Sequence, residues 1–272
     1  MKIKLPVLLV IASLLLSASI GCAAEKSDAS AELKALVSKI QQKLRDGKDT
    51  EADLAPELKE FDALLAKHKG EKTDEAAQVL FMKAMLYEQV LRDTAKGDAL
   101  LAQLKRDYPD SEQVQALKQQ EESEKVRAGL VTGAKFPDFN VKDLDGKPLS
   151  VSNYKGKVVL LDFWATWCPP CRAELPNVIK TYDRYHKDGF EIIGISLDRD
   201  RDREKLVSFL KDKKMTWPQF FDGKYWQNEL AVKYGVQSIP TTYLLDGQGV
   251  IIGKDLRGEA LEKAVAKAVA NK

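Results

Sequence analysis

Hydrophobic positions in the first half of the chain recur at helical spacing. This half is rich in Ala, Leu, Lys, Glu and Gln and contains no run of β-branched residues, a composition typical of helices. Its apolar residues follow one another in stripes that begin at Leu33, Leu54, Val79 and Leu100. Such stripes predict amphipathic helices. We therefore expect an all-α domain of helical hairpins at 25–128.

The fourth stripe ends at Tyr108-Pro109-Asp110-Ser111. The proline stops one helix there, and Asp110 or Ser111 can cap the next. Paired helices that close on this sequence resemble tetratricopeptide-like repeats, although the Trp, Gly and Tyr positions of that consensus are not all filled. A plain helical bundle is the alternative. Because no motif in this region carries chemistry, we expect it to serve for packing or for binding a protein partner.

The hydrophobic pattern changes after about Gly133, at the start of a second predicted domain, 129–272. Val158 to Trp164 is an almost continuous apolar run, which is typical of a strand buried on both faces. A second such run covers 191–197. The other predicted elements are helices at 170–186, 203–211, 228–234 and 259–269 and a hairpin over 242–252. Strands that alternate with helices predict an α/β fold with a central sheet covered on both faces.

The N-terminus has the pattern of an export signal. Lys2 and Lys4 precede an apolar stretch from Leu5 to Ile20, and small residues follow it. The stretch is shorter than the roughly 20 residues that a membrane span requires. We therefore predict a signal peptide at 1–24, and a mature protein in the periplasm or on the cell-envelope membrane.

Cys22 leaves two processing routes open. Ser19-Ile20-Gly21-Cys22 resembles a bacterial lipobox, in which the cysteine is lipidated and becomes the first mature residue, although Ser19 replaces the preferred Leu. Alternatively, cleavage after Ala23 or Ala24 discards Cys22. In both cases two thiols remain in the mature chain, Cys168 and Cys171. A single pair does not make a disulfide-stapled scaffold.

Composition narrows the function classes further. The 272 residues are 44% hydrophobic and 31% charged, with a formal net charge of +2. This is ordinary globular composition. The chain lacks the basic blocks that follow a phosphate backbone, so we expect no nucleic-acid partner.

The Cys168-Pro169-Pro170-Cys171 run carries the candidate chemistry. Cys168 is predicted at a helix N-terminus, where the helix dipole favours the reactive thiolate. Cys171, one turn inside the helix, is placed to resolve a mixed disulfide. Pro169 and Pro170 have no N–H to donate to a thiolate, and their fixed φ angles stiffen the loop. These two effects act on the redox potential in opposite directions.

Three other interpretations of the pair are weaker. A zinc site needs two more ligands, and the histidines, His68 and His186, have no ligand-like neighbours. A structural disulfide over so short a loop adds little stability. A single-cysteine peroxidase site calls for Thr and Pro upstream, where Ala165 and Leu161 stand. Thiol-disulfide exchange is therefore the favoured interpretation.

Two runs then resemble a known family. Asp162 to Cys171 is similar to the active-site run of thioredoxin-like proteins, and Ser238-Ile239-Pro240-Thr241-Thr242 is similar to their second signature. The N-terminal extension and the segment between the second predicted strand, 191–197, and the Ile239-Pro240 motif resemble the TlpA/ResA-like branch, exported reductants that are often tethered to membranes. The resemblance implies a thioredoxin-like fold with a mixed sheet flanked by helices, preceded here by the all-α domain.

The resemblance also implies roles for the residues around the pair. Pro240 would be cis and lie against the disulfide, and the backbone of Ile239 would pair with an extended substrate. Trp167 would cover the rim of the site, where Pro169 and Pro170 also meet the substrate. No cofactor is expected beyond the Cys168–Cys171 disulfide.

Asp162 stands in an apolar run, where a carboxylate is costly without a partner or a task. The family interpretation is a buried acid of raised pKa that takes a proton from Cys171; the alternative is a strand-end aspartate turned to solvent. Glu174, three residues after Cys171, is expected on the helix surface.

We therefore predict a thiol:disulfide oxidoreductase that acts on protein disulfides or thiols. A membrane thiol-disulfide electron donor would have to recharge it, since the periplasm is oxidising. The alternatives are a helical scaffold with an accessory redox domain, or a thiol peroxidase. The substrate, the direction of electron flow and the oligomeric state are not predicted.

Overall fold

The computed structural model describes residues 28–271. The predicted signal peptide and Cys22 lie outside them. By its internal contacts the chain divides into two compact units, and the boundary along the sequence lies between Lys118 and Gln119. Helix α5, Glu112–Gly129, runs through this position. Each unit has a hydrophobic core of its own.

The first unit is helical, as predicted. Its helices are α1 Asp28–Arg45, α2 Ala55–Lys67, α3 Asp74–Leu86, α4 Thr94–Asp107 and the first turns of α5. A π-helical turn, Tyr87–Leu91, extends α3. The predicted stripes form the core, which includes Leu36, Val37, Ile40, Leu54, Phe61 and Val79.

Short polar side chains cap several of these helices. Thr73 Oγ1 accepts a hydrogen bond from the N–H of Ala76 at the start of α3. Ser111 Oγ accepts one from the N–H of Val114 at the start of α5. Of the two caps proposed for this last helix, Ser111 is the one used. Each such cap is worth about 1 kcal/mol.

The second unit is built on a five-stranded mixed sheet with the order β5-β4-β3-β6-β7. Its strands are β3 Val158–Trp164, β4 Phe190–Ser196, β5 Gln219–Phe220, β6 Thr241–Leu245 and β7 Ile251–Lys254. A small antiparallel hairpin precedes them, formed by β1 Val141–Lys142 and β2 Pro148–Leu149. Strand β3 pairs in parallel with β4 and antiparallel with β6.

Helices flank the sheet and complete the predicted α/β fold. They are α6 Pro169–Tyr185, α7 Arg203–Asp212, α8 Glu229–Lys233 and α9 Gly258–Ala270. All seven residues of β3 are buried, which agrees with its almost continuous apolar run. Helices α6 and α9 pack against each other, and the site lies where the ends of β3, β6 and these two helices meet. No helix within residues 28–271 is long and apolar enough to cross a membrane.

An aromatic cluster fixes the segment that enters this unit. Tyr234 is fully buried, and its ring centroid lies 4.6 Å from that of Phe136 and 6.3 Å from that of Phe163. Its hydroxyl donates to the carbonyl oxygen of Pro137 at 2.7 Å. The chain before β1 is therefore anchored to the core beside the central strand.

Candidate active site

Cys168 and Cys171 form a disulfide at the start of helix α6. Cys168 is the N-cap residue, and its Sγ accepts a hydrogen bond from the backbone N–H of Cys171 at 3.2 Å. Pro169 and Pro170 occupy the first two helical positions, which an N–H-free residue fills without loss. The cysteines are only 2% and 3% exposed in this oxidised form. The sequence thus places both sulfurs within the first turn of one helix.

A buried carboxylate holds the loop that leads to Cys168. Asp198 is fully buried just after β4. It accepts hydrogen bonds from the N–H of Thr166 at 3.0 Å, from Thr166 Oγ1 at 2.6 Å and from Ser196 Oγ at 2.8 Å. Sequence reasoning missed Asp198, because its partner loop lies 32 residues away along the chain. The sequence feature that could have indicated Asp198 is a carboxylate directly after the apolar run of β4, where an unpartnered charge would be costly.

The segment of the second signature lies against the disulfide. The Ile239–Pro240 peptide bond is cis. The carbonyl oxygen of Ile239 lies 3.7 Å from Cys168 Sγ. Pro240 and Cys171 line the same internal void. The structure therefore brings together the two runs that sequence analysis singled out.

Asp162 is buried in the middle of the sheet, with 5% of its surface exposed. The alternative of a strand-end aspartate turned to solvent is therefore wrong. The pKa of Asp162 is raised from 3.8 to about 7, chiefly by burial; the positive charge of Arg257 acts against this rise, and the negative charge of Glu174 adds to it. A carboxyl group of this kind can exchange a proton near neutral pH.

Glu174 does not lie on the free surface where it was expected. It is half-buried, and its Oε1 accepts a hydrogen bond from the backbone N–H of Gly258 at 2.6 Å. Gly258 begins helix α9, and the first N–H groups of a helix have no partner within it. The signal available in the sequence was the spacing of three from Cys171, which puts both side chains on one face of α6.

Asp162, Cys171 and Glu174 line a void of about 10 Å³ together with Pro240 and Arg257. A void of about this size has room for a single water molecule. The acid and Cys171 therefore line one small space.

Trp167 belongs to an aromatic group beside the disulfide. It is half-buried, and its Nε1 donates to the carbonyl oxygen of Leu197 at 3.2 Å. Its ring centroid lies 5.1 Å from that of Tyr225 and 6.1 Å from that of Trp226. The Arg199 guanidinium lies 4.3 Å from the Tyr225 ring centroid. Sequence analysis missed Tyr225, Trp226 and Arg199, since the loops that carry them have no apolar periodicity.

Within residues 28–271 no group of three or more His, Cys, Asp or Glu side chains is placed to hold a metal ion. His68 Nδ1 lies 2.8 Å from Glu71 Oε2. The ring of His186 packs on Tyr182, with centroids 4.6 Å apart.

Comparison with known proteins gives a consistent result. A model of the AhpC/TSA family matches residues 132–254. The chain is 37% identical over 127 residues to thiol-disulfide oxidoreductase ResA of Bacillus thuringiensis subsp. konkukian, over 47% of this chain and 70% of the relative. It is 39% identical over 128 residues to thioredoxin-like protein YneN of Bacillus subtilis, over 47% and 72%. It is 35% identical over 114 residues to sporulation thiol-disulfide oxidoreductase A of Bacillus subtilis, over 42% and 67%. The chain belongs to the thioredoxin-like thiol-disulfide oxidoreductases related to ResA.

Proposed function

We propose that this protein reduces disulfides of exported proteins. The observation that carries the proposal is the arrangement of the two sulfurs: Cys168 faces the Ile239 carbonyl, and Cys171 faces the void that holds Asp162. In this proposal Cys168, next to the Ile239 backbone, meets the incoming chain, and Cys171 meets the proton acceptor. This is the division of roles that two-step thiol-disulfide exchange requires.

In the first step the Cys168 thiolate attacks a substrate disulfide. A bond forms between Cys168 Sγ and one substrate sulfur, and the other substrate sulfur leaves as a thiolate. In the second step Cys171 gives its proton to Asp162 and attacks Cys168 Sγ. The Cys168–Cys171 disulfide forms, the second substrate sulfur leaves, and the substrate has gained two electrons and, from the protein and the solvent, two protons.

The surroundings of the sulfurs favour reduction over oxidation of substrates. A dithiol becomes a strong oxidant when its reduced form is well stabilised. Here the Cys171 N–H and the helix dipole stabilise the Cys168 thiolate. Pro169 and Pro170 supply no further N–H donors, and the Ile239 carbonyl oxygen and the Asp162 carboxyl lie nearby. We infer that these opposing groups limit the stabilisation of the thiolate, so that the dithiol gives up its electrons readily.

The cellular setting is part of the proposal. The signal-like N-terminus supports export to the periplasm or to the cell-envelope membrane, with Cys22 as the candidate lipid attachment site. A membrane thiol-disulfide donor would return the protein to its dithiol form, and the helical unit would bind a protein partner. Incorporation of labelled palmitate, lost in Cys22→Ser, tests the anchor.

Insulin reduction by dithiothreitol tests the activity. We expect the wild-type protein to accelerate the reaction and Cys168→Ser to abolish the acceleration. After removal of dithiothreitol, reduced Cys171→Ser should accumulate a mixed disulfide with insulin. Cys22→Ser is the matched control and should keep full activity. Equal rates for wild type and Cys168→Ser would refute the enzyme interpretation. Consumption of peroxide faster than of insulin, with Cys168 oxidised first, would favour a peroxidase instead.

A further inference from the structure

Arg257 lies directly before helix α9 and turns its guanidinium back towards the active site. Its Nη2 donates to the carbonyl oxygen of Pro240 at 2.7 Å, and its Nη1 donates to Thr242 Oγ1 at 3.0 Å. Pro240 lies beside the disulfide, and Thr242 pairs with Asp162 across β6 and β3. The rigid fork of a guanidinium can hold two such acceptors in one geometry. Arg257 therefore holds the proline segment and the start of β6 together, beside the strand that carries the acid.

More acidic than basic side chains line this void. Asp162 faces it from β3, Cys171 and Glu174 face it from α6, and Arg257 closes it from the start of α9. Asp255 lies on the outer side, 4.0 Å from the guanidinium and with 57% of its side chain exposed. Charges interact strongly where water is excluded. One partly exposed cation, with 32% of its side chain accessible, thus stands against two carboxylates, and its charge lowers the pKa of Asp162, which burial and the charge of Glu174 raise.

We propose that Arg257 is a positioning residue for the exchange reaction, which holds the Pro240 carbonyl beside the disulfide and balances the charge of Asp162 and Glu174. Arg257 acts through these groups and makes no hydrogen bond to either cysteine. The proposal rests on the proposed role of Asp162 as proton acceptor. It assigns a task in the site to a residue outside both signature runs.

The first test reads the Asp162 carboxyl group directly, by NMR titration of its side-chain ¹³C signal in the oxidised protein. Asp162→Asn assigns the signal. Arg257→Met removes the charge, Arg257→Gln removes the charge but keeps a donor for Pro240, and Arg257→Lys keeps the charge. Arg184→Met is the matched control, because this arginine is 61% exposed on α6 and pairs with Glu262.

We expect Met and Gln at position 257 to raise the titration midpoint of Asp162 by about half a pH unit or more, the size of effect that a nearby opposite charge produces. The Lys variant and the Arg184 control should titrate like the wild type. Should Arg257→Met fail to fold, the Gln variant decides. A wild-type midpoint in the uncharged variants would overturn the proposal.

The second test is the pH profile of insulin reduction. The midpoint of the profile should move upwards in the Met and Gln variants by the amount seen for the carboxyl group. A purely structural role would lower the rate at every pH without moving the midpoint, and that result would overturn the proposal. If the wild-type protein does not reduce insulin, the proposed function fails, while the NMR titration still decides the role of Arg257.

Discussion

Asp162→Asn should make the oxidised protein more stable near neutral and alkaline pH. The folded protein holds the proton of Asp162 up to a pH of about 7, whereas the ordinary pKa of this group is 3.8. Between these values the unfolded chain binds fewer protons, so the free energy of unfolding falls as the pH rises, and the loss is complete above about pH 7. Acidic conditions below the unfolded pKa remove the penalty, because both states are then protonated.

The size of the effect follows from the pKa difference. The span from 3.8 to about 7 corresponds to about 4 kcal/mol of destabilisation when the carboxylate is ionised. The group is almost fully buried, so solvent screening does not reduce this figure much. An asparagine amide left without good partners costs about 1–2 kcal/mol. We therefore expect Asp162→Asn to gain about 2–3 kcal/mol near pH 8 and no stability near pH 4.

Urea unfolding followed by tryptophan fluorescence measures this gain. All four tryptophans lie between positions 164 and 226, so the signal reports on the redox unit. Asp183→Asn is the matched control, an exposed aspartate on α6 whose replacement should change the free energy of unfolding by less than about 0.5 kcal/mol. An equal gain at both pH values, or no gain near pH 8, would refute the buried-acid argument.

Three further outcomes are expected. Asp198→Ala leaves the N–H and hydroxyl of Thr166 without their acceptor and should cost about 2–4 kcal/mol in urea unfolding; a loss below 0.5 kcal/mol would contradict the role given to Asp198. Tyr234→Phe removes the hydrogen bond to the Pro137 carbonyl oxygen and should lower the free energy of unfolding in urea by about 1 kcal/mol. An unchanged urea midpoint would contradict the anchoring role of Tyr234. We propose that the aromatic group of Trp167, Tyr225 and Trp226 contacts protein substrates. Trp226→Ala should therefore slow insulin reduction several-fold but leave a small aromatic disulfide unaffected, with the exposed Val207→Ala as control; equal losses on both substrates would refute this contact.

Sequence reasoning predicted the elements that a short run of consecutive residues marks, such as an apolar run for a buried strand. Strand β3 is apolar at every position but Asp162, and all seven of its residues are buried. Helix α6 was placed because Cys168 and the two prolines mark its first turn. Strand β5 was missed, since its two residues are too few to show a period of two.

The charged part of the site escaped prediction for a different reason. Glu174 bonds the N–H of Gly258, 84 residues further along the chain, and Arg257 bonds a carbonyl oxygen 17 residues before it. In the sequence, Glu174 and Arg257 look like ordinary charged residues on a solvent-exposed surface. Only the packing of α9 against α6 turns these two side chains inward. Asp162 was predictable because a carboxylate in an apolar strand is conspicuous without any tertiary information.

The reduction potential of the Cys168–Cys171 pair tests the central claim most directly. Equilibration of the protein with dithiothreitol or glutathione buffers, followed by thiol alkylation and mass measurement, gives its value. A site that stabilises its thiolate poorly should lie near the potential of a reductant, about −270 mV. A value near that of a strong oxidant, about −120 mV, would contradict the proposal that this protein reduces its substrates.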